Sequence, residues 1–431
     1  MRSIIYFLIL IIFACACTNI EDASPSSKTS FIKFYSGPYN YQGVSIEVLP
    51  DGYALLGNMV VAADSTVAFI LKTDKQGNQI DVPYYFPGNT AKSFKVIYSN
   101  QQVSGYLMMC DSIKVNPTAS RVGDIEIYSA CLFKVNLNGS ISERIKIADL
   151  SNDTSQVRID YKSIDLTIEN NTIINLFTFK DDLAKPEKPF IVALDMDFNQ
   201  IWNQKYDLLD HNYANGKSIH YNSTSGSIIW SASILKPSGD FNDSYLAIPK
   251  VQEDNTFENF SQLGEGTSQY FLAREIQPAR SIAFGYGVVG TRALTSGEKS
   301  NMFFIRVDAQ GNFIPSSEKY FDKILSQSGQ NITFSDSDSQ DNGESLTSTT
   351  DGGFALAGST QQGSELRDVY VVKVDGTGNY LWSNTFGGVG DESASCIRED
   401  GNSLIIIGTN DLAGLSSLFL IKTDEDGSLS K

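Results

Sequence analysis

Short apolar runs of period two, each followed by Asp or Asn and a cluster of turn residues, recur along the chain. The copies are Phe69–Asn78 (FILKTDKQGN), Leu132–Gly139 (LFKVNLNG), Ile191–Asn199 (IVALDMDFN), Tyr245–Lys250 (YLAIPK), Phe304–Asn312 (FIRVDAQGN), Tyr370–Asn379 (YVVKVDGTGN) and Phe419–Gly427 (FLIKTDEDG). The fourth is degraded. Each run is rich in β-branched and aromatic residues, and its Asp-x-x-Gly-Asn tail supplies the positive-φ residue of a hairpin turn, so each copy predicts a strand entering a tight turn. After most turns comes a second strand ending in an aromatic, as in Pro83–Phe86, Trp202–Tyr206, Glu318–Phe321 and Leu381–Phe386. Before the run lies a further hairpin, clearest at Asp51–Gly57, Asp351–Gly358 and Asp400–Gly408. Four strands per unit follow.

A period of about 59 residues is longer than that of the familiar propeller repeats, and the excess falls in loops such as 113–124 and 322–343. An open array of such units would expose a terminal sheet edge, whereas a ring leaves only short, protected edges. The last copy lacks its outer aromatic strand, and the first is preceded by an unassigned strand, Phe31–Tyr35. Phe386–Ile397 aligns without gaps on Tyr35–Ile46. The expectation is an all-β chain, a single seven-bladed β-propeller over 31–431 with four-stranded antiparallel blades, closed by the N-terminal strand.

The content of 41% hydrophobic residues, with 25 Phe and 20 Tyr, is ample for a core. A net charge of −17 excludes nucleic acid and anionic lipid headgroups as partners of the body, because both need basic patches. At the start, Arg2 precedes the apolar run Ile4–Phe13 and then Ala14-Cys15-Ala16-Cys17, a charged region, a short hydrophobic region and small residues before a thiol. This segment resembles a bacterial lipoprotein signal, which implies a signal peptide over 1–17, lipidation of Cys17 or alternatively Cys15, and attachment to the membrane through that lipid only. Residues 18–30, with Ser24-Pro25-Ser26-Ser27, have the composition of a flexible tether. Of the five cysteines, Cys110, Cys131 and Cys396 remain in the body; an odd number makes no complete disulfide framework, and whether Cys110 pairs with Cys131 stays open.

The repeat, read as Asp-Gly-Gly-Phe/Tyr, Lys-x-Asp, Gly-Asn, Trp and Phe-Gly-Gly-x-Gly-Asp, resembles the β-propeller repeats of secreted Bacteroidota lipoproteins, closely over 341–431 and loosely over 90–270. The resemblance implies an exported outer-membrane lipoprotein on the periplasmic or cell-surface side, and lends a fold more than an activity.

Candidate chemistry is sparse. The Asp-rich hairpins read as turns. Asp336, Asp338, Asp341 and Glu344 fall in one inter-blade stretch and are candidate Ca²⁺ ligands beside the alternative of a solvated acidic loop. His211 and His220, the only histidines, have no Cys or carboxylate at metal-ligand spacing. Trp202 and Trp382, equivalent in their units, are expected to pack between blades. No cofactor is expected apart from that Ca²⁺ candidate, and no catalytic residue is singled out. The anchor, the tether and the absence of a catalytic constellation point to a non-catalytic binding or scaffold protein, expected as a monomer, taking a glycan, a peptide or a partner protein at the propeller mouth. The alternative is a glycoside hydrolase or lyase using two of the many carboxylates.

Overall fold

The computed structural model describes residues 30–429 apart from 63–64, 116–125, 151–159, 181–186, 208–212, 236–243, 265–268, 281–284, 295–299, 323–338 and 363–364. The leader expected over 1–17, with Cys15 and Cys17, and all of the tether but Ser30 lie outside the described residues, as do Asp336 and Asp338. Among the described residues, every element is a strand apart from one short 3₁₀ turn at Ile147–Leu150. The fold is all-β and propeller-like.

The repeating unit is an antiparallel meander. Asn40–Val48 pairs with Gly52–Ala62, that strand with Ser65–Asp74, and the last with Tyr84–Pro87. The run-and-turn motifs form third strands and their exits. Asp74, Asp195, Asp308 and Asp375 each accept the backbone N–H groups two and four residues on, which closes the turn; side-chain donors first, from Asn78, Asn199 and Thr377, and then these N–H groups hold the Asp74, Asp195 and Asp375 carboxyls below their usual range. Gly77, Gly311 and Gly378 supply φ of +74°, +89° and +90°. In the degraded fourth copy the strand Ser244–Gln252 forms nonetheless, and its ladder to Ser227–Leu235 lapses between Lys250 and Ala247, beside Pro249, which has no N–H to give.

The last sheet joins the two ends of the chain. Asp391–Asp400, Ser403–Leu412 and Leu415–Lys422 are followed by Phe31–Tyr35, which pairs antiparallel with Leu415–Lys422 from Phe31↔Lys422 to Tyr35↔Leu418.

There is no single core. The apolar side chains form clusters, each shared by two neighbouring units, because both faces of each sheet are covered. In Ser403–Leu412, Ile405 and Ile407 pack with Tyr53, Leu55 and Phe69 on one side, while Leu404 and Ile406 pack with Ala355 and Val371 on the other. This is why Leu404-Ile405-Ile406-Ile407 is a continuous apolar run rather than an alternating one. Trp202 packs against a cluster spanning the third and fourth units, and Trp382 lies between Phe386 and the turn at Gly427.

Candidate functional site

The first strand of each unit carries an irregularity at one equivalent place. Pairing with the second strand slips between Gly43 and Ser45, Ala91 and Ser93, Ser163 and Asp165, Gly216 and Ser218, Ala273 and Glu275, Gly343 and Ser345, and Ala394 and Cys396. Each slip is a β-bulge that inserts one residue, bends the strand and re-aims the side chains around it. The inserted residues are Val44, Lys92, Ile164, Lys217, Arg274, Glu344 and Ser395, and all of them line one cavity of about 180 Å³. At roughly 10–15 Å³ for each water, that is room for about a dozen waters or one guest of monosaccharide size.

The residue before each bulge is small for a steric reason. A Cβ at Gly43 would lie 2.7 Å from the Gly408 carbonyl oxygen, one at Gly216 2.9 Å from Leu176, and one at Gly343 2.6 Å from the Gly290 carbonyl oxygen. Here the backbone of one unit lies against the second strand of the unit before. The bulge also removes the ladder partner of this residue's N–H, and side chains of the preceding unit replace it. Thr409 accepts from Gly43, Asn58 from Ala91, Asp111 from Ser163, Ser233 from Ala273 and Thr291 from Gly343, at 2.7–3.2 Å.

The residue after each bulge makes a second tie. Asp165 Oδ2 accepts from the Ser218 hydroxyl at 3.0 Å and the Ile219 N–H at 3.1 Å, while its Oδ1 accepts from the Ser93 hydroxyl at 2.7 Å. Glu275 accepts from the Ser345 hydroxyl and, at 3.0 Å, from the Leu346 N–H; Ser345 Oγ in turn accepts from the Ile397 N–H at 3.1 Å. Ser45 donates to Cys396 Sγ at 3.9 Å, so units at opposite ends of the sequence are tied in the same layer. Two residues past each bulge sits a buried apolar residue, Ile46, Phe94, Leu166, Ile219, Ile276, Leu346 or Ile397.

Charge in the cavity is uneven. The bulge layer holds Lys92, Lys217 and Arg274 against Glu344 alone, in a chain whose net charge is −17. Lys95 pairs with Glu47 at 3.3 Å and Arg398 with Glu275 at 3.2 Å. Burial raises the pKa of Asp165 against the opposing pull of Lys95. Burial also raises that of Glu344, which Arg274 opposes from 3.2 Å away. Burial, reinforced by Lys95, lowers His220 to about 4, so this imidazole is neutral at pH 7.

The structure separates the Ca²⁺ candidates it describes. Asp341 and Glu344 lie in the first strand Ser339–Ser348 rather than in a loop. Asp341 is fully buried and shares the Ser339 hydroxyl with Asp322; burial and its hydrogen bond to Asp322 push its pKa up to about 7. Glu344 faces the cavity and Arg274. Among the described residues, no three His, Cys, Asp or Glu side chains come together as a metal site would require. Cys110 and Cys131 are direct cross-strand neighbours, and both are buried free thiols.

Apart from Glu344, named for another role, sequence reasoning missed the inserted cavity residues, although a signal exists. Gly43-Val-Ser-Ile46, Ala91-Lys-Ser-Phe94, Gly216-Lys-Ser-Ile219 and Gly343-Glu-Ser-Leu346 share the pattern small, variable, hydrogen-bonding, apolar. The alignment of Phe386–Ile397 on Tyr35–Ile46 already sets Ala394-Ser-Cys-Ile397 beside the first of these.

No protein-family model and no curated protein matches the chain. Among solved structures it is similar to the Trypanosoma rangeli sialidase in complex with the inhibitor DANA, at 8% identity and a TM-score of 0.45 over 89% of this chain and 55% of that one. It is also similar to a prolyl endopeptidase, at 10% identity and 0.46 over 90% and 50%. A subtype N11 neuraminidase-like protein of A/flat-faced bat/Peru/033/2010 (H18N11) matches at 10% identity and 0.41 over 94% and 96%. The chain spans about half the length of the first two. At these identities and scores the likenesses say nothing about ligand or reaction.

Proposed function

We propose that the chain is a closed seven-bladed propeller, held on the cell envelope by a lipid on Cys17 or Cys15, that binds a small polar ligand in its central cavity without transforming it. The ring reading is supported by the packing of each bulged first strand against the next, including Asp391–Asp400 against Asn40–Val48. The pairing of Phe31–Tyr35 with Leu415–Lys422 supports it further.

The observation that carries the binding reading is the state of the lining carboxylates. Asp165 and Glu275 are acceptors for the neighbouring units, so they serve the scaffold. Only Glu344 is left, and it is paired with Arg274, whereas the common retaining and inverting glycosidase mechanisms use two carboxyl groups with separate roles. A glycan fits the cavity's size and polar lining better than a folded partner does. In the experiment, the full chain is titrated calorimetrically with sugars that bind it on a glycan array, beside Ser395→Trp, which fills the cavity from the bulge layer. Binding lost in S395W with an unchanged melting temperature supports the proposal. Binding that survives in S395W, or turnover of the bound sugar, overturns it.

A further inference from the structure

Three consecutive bulge positions bring Lys217, Arg274 and Glu344 to the same layer of the cavity. Glu344 is committed to Arg274, with Nε to Oε2 at 3.2 Å. Among the described residues no carboxylate lies within 4.0 Å of the Lys217 ammonium, and no hydrogen-bond acceptor meets it. Arg274, on the next bulge, lines the same cavity with a like charge, while Glu187 and Glu344 act on the ammonium in the opposite sense. Burial first, and then this guanidinium, lower the Lys217 pKa. Two cations forced together in a partly desolvated cavity repel each other, a cost that a folded chain keeps where a ligand offsets it. Two bulges in the strands Tyr213–Asn222 and Gln269–Pro278 fix the backbone positions from which both side chains reach this cavity.

We infer that Lys217 and Arg274 form a subsite for a small oxyanion, a carboxylate or sulfate group carried by the ligand or free in solution. The inference rests on the cavity being the ligand site and adds the ligand's charge. A guanidinium offers a planar pair of donors and an ammonium a point charge, which together suit an oxyanion better than a hydroxyl. The inserted residues Val44, Ile164 and Ser395 in the same layer are uncharged, so a neutral ring or chain attached to the anion has room beside the pair.

The test is titration calorimetry of the full chain with sodium glucuronate, glucose and low-millimolar sodium sulfate, at ionic strength held constant with sodium chloride. Glucuronate or sulfate should bind while glucose does not. Lys217→Gln should weaken that binding at least tenfold, and Lys217→Arg should retain it. Glucuronate without sulfate identifies a sugar-borne carboxylate, whereas sulfate binding identifies an inorganic anion as sufficient. Without ligand, K217Q should melt no lower than the wild type, because it removes one of two repelling charges, and this reads the subsite independently of any sugar. The inference is overturned if K217Q binds the anions as the wild type does, if glucose binds as tightly as glucuronate, if none of the three binds, or if K217Q melts lower. Glucose binding that S395W abolishes would leave the cavity reading standing while removing the anion subsite.

Discussion

Asp341 gives the stability of this protein one component of its pH dependence, and Asp341→Asn should remove that component. The side chain is fully buried beside Asp322, and the two share the Ser339 hydroxyl; Tyr370 Oη donates to the Asp322 carbonyl at 2.9 Å. With its pKa raised from 3.8 to about 7 by burial and the hydrogen bond to Asp322, the group is protonated when folded and ionised when unfolded over the intervening pH range. A raised carboxyl contributes its full stabilisation below about pH 4, and loses it steadily as pH climbs to about 7, by linkage. Three pK units at about 1.4 kcal/mol each give roughly 4 kcal/mol. With an unfolding entropy of about 2.1 cal/mol/K per residue, or about 0.9 kcal/mol/K for this chain length, that is a shift of about 4–5 °C in melting temperature. Asn keeps the shape and can donate to Asp322, but cannot ionise. Calorimetric melts of wild type and D341N from pH 4 to 8 should therefore diverge, with the variant gaining on the wild type by about 4–5 °C between the two limits. Parallel profiles would refute the assignment of the titrating group.

Other expectations follow from the ties between units. Gly43→Ala should destabilise the fold by about 1–3 kcal/mol in chemical denaturation, because the new methyl meets the Gly408 carbonyl at 2.7 Å; an unchanged midpoint would mean that the two units are not held this close. Asp165→Ala strips an acceptor from Ser93, Ser218 and the Ile219 N–H in one step, and should cost about 3 kcal/mol or more. A loss under 1 kcal/mol would show that water replaces the carboxylate freely. The His220 ring should titrate near pH 4 by NMR, its proton lost on folding between about pH 4 and 6.5, so that stability falls as pH drops from about 6.5 towards 4. A midpoint above 6 would place this imidazole in solvent.

Much of this architecture is local chemistry and could be read directly. The third strands and their Asp turns were legible because period-two runs and a glycine at positive φ act within ten residues of chain. Phe31–Tyr35 was legible as a partner for the last copy because an unpaired edge strand has to be covered. The inter-unit placing of Trp202 and Trp382 followed from their equivalent positions in the repeat.

The cavity was not legible in this way. The sequence contains the small, variable, hydrogen-bonding, apolar tetrads, but nothing local says that the variable residue is inserted into a bulge and aimed inward rather than at solvent. Asp341 and Glu344 look like neighbours in an acidic loop. Tertiary structure puts one against Asp322 and the other against Arg274, because Asp341 lies in the regular part of the strand and Glu344 is the residue that the bulge inserts. Ser45 and Cys396 stand 351 positions apart, and only the joining of the chain ends sets them in one layer. Turns and strand periods depend on contacts between residues close in sequence, so the chain declares them itself. The charge of a cavity is a sum over strands far apart in sequence, and it exists only once they have assembled.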